Sequence, residues 1–338
     1  MSLNRRASLR WLAAAAGSAA LGPLVGCQPK PRFAARRSGP WRLGVLQFVP
    51  VAAMDITRQG VMQGLAQGGF RPGQNLQVEL RQAGGSPSRC RGQAQELVAS
   101  GVDLLVAIGT PALLAAIAAA PRQLPIVFCY CANPWGVGAG GSATQHLPNV
   151  TGTVTTTAVE TMLQVARQLV PNLQQVGLLY NPAEPNSSFE AELLAQAVAA
   201  QRMQLLREPV SGSADLPEAF QRLQGQGIQA LLKVEDYVTL QGFEQLAALA
   251  LRARLPLLGD EPDDAGVLGA LAMVGWGSIQ DGRRAGELAS QVLQGTSPAA
   301  IPIQPPGEPG LWLNRGTARR LGIPLPASLV QRARAVLD

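Results

Sequence analysis

Four apolar segments of this chain recur, in the same order, about 130 residues further on. RLGVLQFVP (42–50) matches QVGLLYNPAEP (175–185), and LQVELRQA (76–83) matches MQLLREPV (203–210). GVDLLVAIGT (101–110) matches GIQALLKVED (227–236), and QLPIVFCYC (123–131) matches RLPLLGDEP (254–262). Each segment is strand-like, and amphipathic helical patterns separate them, the signature of parallel α/β structure. A period this long is no solenoid. It predicts two similar βαβαβαβ units, each a parallel sheet with helices on both faces.

The Thr-rich stretch NVTGTVTTTAVE (149–160) suits an extended crossing between the units. A helix over 280–293 follows the second unit, then the Pro/Gly-rich SPAAIPIQPPGEPG (297–310) and a short terminal strand and helix. In such sheets ligands sit outside the carboxyl ends of the strands. Those ends are Gln47-Phe48, Thr110-Pro111 and Asn133 in the first unit. In the second they are Asn181 to Ser188, Glu235-Asp236-Tyr237 and Asp260-Glu261. Two lobes facing each other with these edges would form a cleft that closes on a small molecule.

The first residues read as a targeting segment. Arg5 and Arg6 open a positive region, Trp11 to Leu21 is apolar but short for a membrane span, and LVGC ends at Cys27. LVGC resembles the bacterial lipobox, which implies lipidation of Cys27, and NRRASLR resembles a twin-arginine signal with Ser8 at an atypical position. This predicts a signal over 1–26 and a lipidated tether over 27–40. One lobe is then expected from 41–155 plus 276–298, and the other from 156–275 plus 299–338.

The formal charge of +6 is concentrated at this end. Residues 1–42 hold eight of the 28 basic side chains and no acid, which leaves 20 basic against 22 acidic residues in the remainder. The basic balance therefore suits lipid head groups and is no nucleic-acid footprint. With 47% hydrophobic and 15% charged residues, the remainder is a folded chain.

Enzyme signatures are sparse. His146 is the single histidine, and the sequence contains no GxSxG, GxxxxGK[ST] or HExxH. GVGAGG (136–141) is followed by SATQHLPNV, without a helical pattern, so it reads as a loop and not a dinucleotide site. Cys129 and Cys131 share a strand face, where a metal or redox pair is conceivable. Without a CxxC spacing or a nearby histidine they read, like Cys90, as small buried side chains. Glu184, Glu235, Asp236, Asp260 and Glu261 all fall at strand ends. They suit helix capping, paired acid/base work, or a negative lip for an ammonium group.

GVLQFVPVAAMD, VDLLVAIGTPA, LPIVF, PNVTG, VGLLYNPAEPNS and LPLLGDE together carry a family pattern. The chain resembles, over about residues 42–325, the substrate-binding lipoproteins of ABC importers typified by the tryptophan-importer binding component. The resemblance implies the type 1 periplasmic-binding-protein fold, two Rossmann-like lobes joined by three hinge crossings. It also implies no enzyme and no cofactor or metal, a small ligand with aromatic amino acids as the best-known class, an exported location, and an ABC permease as partner. By the same resemblance Gln47, Thr110, Pro111, Asn181, Glu184, Asn186, Ser187, Asp236 and Asp260 would be ligand-binding. Asn133, at a strand end, joins that set. Phe48, Tyr237 and Trp276 are candidates to line an apolar pocket. Relatives often read Thr-Asp-Asn where this chain has Glu235-Asp236-Tyr237. Thr110 is expected to cap a helix and offer its N-terminus to a carboxylate, with Asp236 or Glu184 taking the ammonium. A sensory binding protein of the same fold and a carboxylate-based hydrolase are the alternatives.

Overall fold

The computed structural model describes residues 39–260, 262 and 269–338. The expected signal, the lipidation site Cys27 and nearly all of the tether lie outside these residues, as do Glu261, Asp263 and Asp264.

The first half builds β1 (Trp41–Gln47), α1 (Ala52–Gln67), β2 (Leu76–Gln82), α2 (Pro87–Ala99), β3 (Leu104–Ile108), α3 (Thr110–Ala119), β4 (Ile126–Cys129) and β5 (Val150–Gly152). The strands form one sheet in the order β2-β1-β3-β4-β5, parallel throughout. LLVAI in β3 and IVFC in β4 are wholly buried, as expected of central strands covered on both faces. Ser86 starts α2 by accepting a hydrogen bond from Arg89 N, with Pro87 at the first helical position.

The chain then crosses through residues 153–158 into α4 (Val159–Leu169), β6 (Gln175–Tyr180), α5 (Pro185–Ala200), β7 (Gln204–Pro209), α6 (Leu216–Gly225), β8 (Ala230–Leu232), α7 (Tyr237–Gln241), α8 (Phe243–Arg252), β9 (Leu257–Gly259) and β10 (Ala272–Gly275). These strands take the order β7-β6-β8-β9-β10, the same as in the first sheet. The repeat read from the sequence is therefore a repeat of topology. β11 (Gly310–Asn314) adds antiparallel to β10, and β12 (Ala335–Leu337) follows β11. Between β11 and β12 lie α10 (Arg315–Leu321) and α11 (Ala327–Arg332).

Between β10 and β11 the chain returns to the first sheet as α9 (Ser278–Leu293), two residues earlier at its start than expected. α9 buries Ala285, Leu288, Ala289, Val292 and Leu293 in the same core as β1, β3 and β4. Its contact with α1 is backbone to backbone. Side chains at Gly282 and Gly286 would overlap the carbonyl oxygens of Thr57 and Val61, and ones at Gly60 and Gly64 would overlap those of Ile279 and Arg283. Ile301 and Ile303 also enter the first core, and Thr151 Oγ1 donates to Ile301 O at 2.9 Å. The chain thus passes between the sheets three times, near 153–158, 276–277 and 304–309.

Candidate functional site

Where the carboxyl ends of both sheets meet the crossings there is a small cavity of about 20 Å³. That is room for about one ordered water molecule. Tyr130, Thr155, Thr157, Glu235, Asp260, Trp276, Ser278 and Asp281 line it. Tyr130 and Asp281 belong to the first lobe, Glu235 and Asp260 to strand ends of the second, and Thr155, Thr157 and Trp276 to the crossings.

Each acid is fixed by a nearby donor. Asp281 is buried and accepts Tyr130 N at 2.8 Å and the Thr153 hydroxyl. The first bond holds Tyr130 in a left-handed conformation, φ 53°, which a bulky residue adopts only under constraint. Burial pushes the Asp281 carboxyl up to about 6, against the pull of these two hydrogen bonds. Thr155 Oγ1 approaches Glu235 Oε2 at 3.4 Å, and Thr157 Oγ1 approaches Asp260 Oδ2 at 3.3 Å. Behind the wall, Lys233 pairs with Asp260 at 2.7 Å with both side chains nearly excluded from water. Glu190, also buried, accepts Thr157 N at 2.9 Å. Its carboxyl is raised to about 8, first by burial and then by Asp260.

Trp276 is half-buried in the crossing and donates through Nε1 to Gly307 O at 2.8 Å, so it ties two crossings together and also lines the cavity.

Of the residues expected to bind ligand, Asp260 lines this cavity. Trp276, a candidate to line an apolar pocket, lies along it as well. The remainder are engaged around it. Asn181 N donates to Asp236 Oδ2 at 2.7 Å and to Ser187 Oγ at 3.0 Å, and Asn181 Nδ2 donates to Glu184 Oε1 at 3.0 Å. Tyr237 N donates to Glu184 Oε2 at 3.0 Å, while Asp236 caps α7 by accepting Thr239 N at 2.6 Å. Asn186 Nδ2 donates to Glu235 O at 3.2 Å. The NPAEPNSS loop is thus locked to the loop after β8, which positions Glu235. Within it burial, with Asp236 adding to the effect, pushes the Glu184 carboxyl up to about 7.

Gln47 fastens α1 through Val49 O, Asp55 and Arg58. Asn133 accepts Gly136 N at 2.8 Å within its own loop, and the Pro111 carbonyl faces the Cys90 thiol at 3.8 Å.

Thr110 does not cap α3. Gly109 does, at φ 104°, a conformation favouring glycine, which ends the strand one residue earlier than the Thr-Pro pair suggests. Thr110 then occupies the first helical turn, and its hydroxyl faces Cys131 Sγ at 3.4 Å. A side chain at Gly109 would also meet Tyr237 Oη at 3.0 Å. The space is needed because Tyr237 reaches across from the second lobe. Its phenol accepts Thr110 N at 3.0 Å and donates to Glu235 Oε1 at 3.5 Å, and its ring lies 5.0 Å from that of Phe48. Burial raises the phenol's pKa, so it stays neutral and both accepts and donates. Cys90, Cys129 and Cys131 are buried free thiols, all raised in pKa by burial.

Tyr130, Thr155, Thr157, Ser278, Asp281 and Lys233 are not among the residues expected at the site from the sequence. A usable signal was present: the threonines of the extended crossing over 149–160, and an acid in the first turn after VGWGS.

The family model described as "ABC transporter substrate binding protein" matches residues 42–337. The chain belongs to this family. The binding protein is 26% identical over 279 residues to the tyrosine-binding protein of Clostridioides difficile strain R20291, covering 82% of this chain and 80% of the relative. A conserved domain protein from Vibrio cholerae O1 biovar El Tor superposes with a TM-score of 0.81 at 28% identity, over 88% of this chain and 99% of the other. An ABC domain from Streptococcus pneumonia in complex with L-Trp superposes at 0.83 and 24% identity, over 88% and 100%. The binding protein thus has the periplasmic-binding fold and is not an enzyme, which removes the carboxylate-hydrolase alternative.

Proposed function

We propose that this binding protein is an exported lipoprotein, anchored at Cys27, that captures a small solute bearing a protonated amine and delivers it to the permease of an ABC importer. The observation that carries the reading is the cavity at the meeting of both strand-end edges and the crossings, lined by three carboxylates and two aromatic rings. Carboxylates hold an ammonium group through charge-assisted hydrogen bonds, and the faces of Tyr130 and Trp276 suit a cation or an apolar body. The names of the relatives, one tyrosine-binding and one solved with L-Trp, make amino acids and related amines the panel to test.

Delivery follows from closure. Contacts from both lobes to one solute exist together only when the lobes are closed, so binding shifts the population to the shape a permease can recognise. Glu235, Asp260 and Asp281 are the residues assigned to the solute. Asn181, Glu184, Asn186, Ser187, Asp236 and Tyr237 act one layer out by holding Glu235 in place, and Gln47, Phe48, Thr110, Pro111 and Asn133 frame the first-lobe edge.

Calorimetric titration of the purified chain, refolded to remove any carried solute, tests this. One-to-one binding is expected, weakened at least tenfold by Asp281→Asn, a loss of about 1.4 kcal/mol, and unchanged by Asn133→Ala. Saturable binding that is indifferent to Asp281→Asn would remove the solute from this cavity. Loss of membrane attachment in Cys27→Ala is the expected outcome for the anchor.

A further inference from the structure

The last segment of the chain carries a charge unlike the rest of the fold. Residues 43–314 hold 15 basic against 21 acidic side chains, whereas residues 315–338 hold five arginines and one acid, Asp338. All five arginines are exposed. Arg334 is engaged by its neighbours: it donates to Gln280 Oε1 at 3.1 Å and to Glu308 O at 2.7 Å, and its guanidinium lies 5.5 Å from the Trp312 ring. Arg319 meets Asp338 at 3.7 Å with side chains 68% and 72% exposed, a pairing worth little in water.

Arg315 and Arg319 stand one turn apart on α10 and edge an open groove of about 500 Å³. Its floor is Ile323, Pro324 and Leu325 from the link after α10, with Val330 from α11. Ile323, Leu325 and Val330 are half-buried, resting on the second lobe's core with one side open to water. A mostly apolar lining with a few placed charges, at about 300–1,000 Å³, is the make-up of a ligand site. The groove is remote from the interlobe cavity. Asn314 N donates to Leu271 O at 3.0 Å and Thr317 Oγ1 to Gly269 O at 3.1 Å, which fastens α10 to the amino end of β10. The cavity lies at the carboxyl ends of the same sheet.

Two guanidiniums beside an apolar floor suit a phosphate anion joined to hydrocarbon. Each planar fork can take two phosphate oxygens, and the floor shields methylene groups from water. We propose that the second lobe docks through this groove on an anionic phospholipid bilayer, with Arg315 and Arg319 on head-group phosphates and Leu325 and Val330 against the first methylenes. An acidic protein segment would answer the arginines, but the floor next to them favours a ligand whose charge and hydrocarbon are one molecule. The proposal rests on the anchored reading above for bringing the fold to the membrane, since a tether over 27–40 reaches at most about 45–50 Å when extended.

The probes are vesicles of phosphatidylcholine alone or with about 30% phosphatidylglycerol, in roughly 0.1 M salt. The protein is the chain from Gly39 onward, which contains every strand and helix of the fold and neither Cys27 nor the basic tether. Co-sedimentation should show partition onto the anionic vesicles stronger by about tenfold or more. Arg315→Ser with Arg319→Ser should lower it on the order of tenfold. Arg167→Ser with Arg252→Ser removes the same charge from exposed positions elsewhere on that lobe and should leave it within about twofold. Leu325→Ser keeps every charge and should weaken it about threefold or more.

Equal partition onto the two kinds of vesicle, or none onto either, would overturn the proposal. So would a loss in the Arg167 and Arg252 pair as large as in the groove pair, which would reduce the effect to net charge. Indifference to Leu325→Ser would take the apolar floor, and with it the groove, out of the contact. Retention of a polyglutamate peptide without vesicle binding would give this face to an acidic protein partner. The anchor is decided separately by Cys27→Ala, so its failure and that of the groove are told apart. Arg315 and Arg319 are exposed, and the comparison between them and the control pair does not depend on a core variant folding.

Discussion

Lys233 and Asp260 form an ion pair that water hardly reaches, 1% and 9% exposed at 2.7 Å. Removing one partner of such a pair leaves a charge with nothing to offset its lost hydration, which costs about 3–5 kcal/mol. Lys233→Met is therefore expected to lower the free energy of unfolding by that amount, read from denaturant titration, and Lys233→Met with Asp260→Asn to recover most of it. Recovery is the diagnostic, because simple loss of packing would persist in the double variant. Three other acids make stability depend on pH in a defined direction. Asp281, Glu184 and Glu190 are raised to about 6, 7 and 8 from ordinary values of 3.8, 4.5 and 4.5. Between the ordinary and raised values the folded chain holds more protons than the unfolded chain, so stability falls as pH rises through that window. Urea midpoints should therefore fall steadily from pH 5 to 8, and Glu190→Gln should flatten the profile. A flat wild-type profile would show these carboxyls ionised in the fold.

Among the elements, the α1–α9 contact depends most on residue size. Gly60 and Gly64 on one helix and Gly282 and Gly286 on the other bring the backbones together, leaving no room for a methyl group. Gly282→Ala is expected to cost about 1–3 kcal/mol, although alanine favours a helix in isolation. A thermal melt at or above that of the wild type would mean the helices can part at no cost. GVMQG and GRRAG, which place these glycines, were legible as spacing but carried no partner, since a small-residue stripe does not say what lies against it. The repeated strands were legible because apolar periodicity and order survive in one dimension, and both sheets follow them in the same strand order. The site was harder to read. Asn181, Glu184 and Asp236 look alike as ligand donors or as a loop lock, and only three-dimensional partners separate the two. Tyr130 stands between two cysteines at a strand end, and its role is set by Asp281, 151 positions away.

At the scale of the whole molecule, the two lobes share more than their crossings. Tyr237 and Leu240, from the loop and short helix after β8, are buried in the hydrophobic cluster of the first lobe. The phenol at Thr110 and the ring against Phe48 therefore add to closure from the protein's own side, before any solute contributes. In the proposed capture the solute would then supply only part of the free energy of closure, which suits a small ligand with few atoms to offer.

The return of α9 to the first sheet also sets an order of events during synthesis. β5 ends at Gly152 and α9 at Leu293, so about 140 residues separate the last strand of the first sheet from the helix that covers it. At about 5–20 residues per second a ribosome needs roughly 7–28 s for that interval. Throughout it the glycine face of α1 and the apolar residues beside β4 wait for a helix not yet made. The nascent chain thus presents one uncovered lobe while it builds the other, and both are completed nearly together, by the last fifth of the polypeptide.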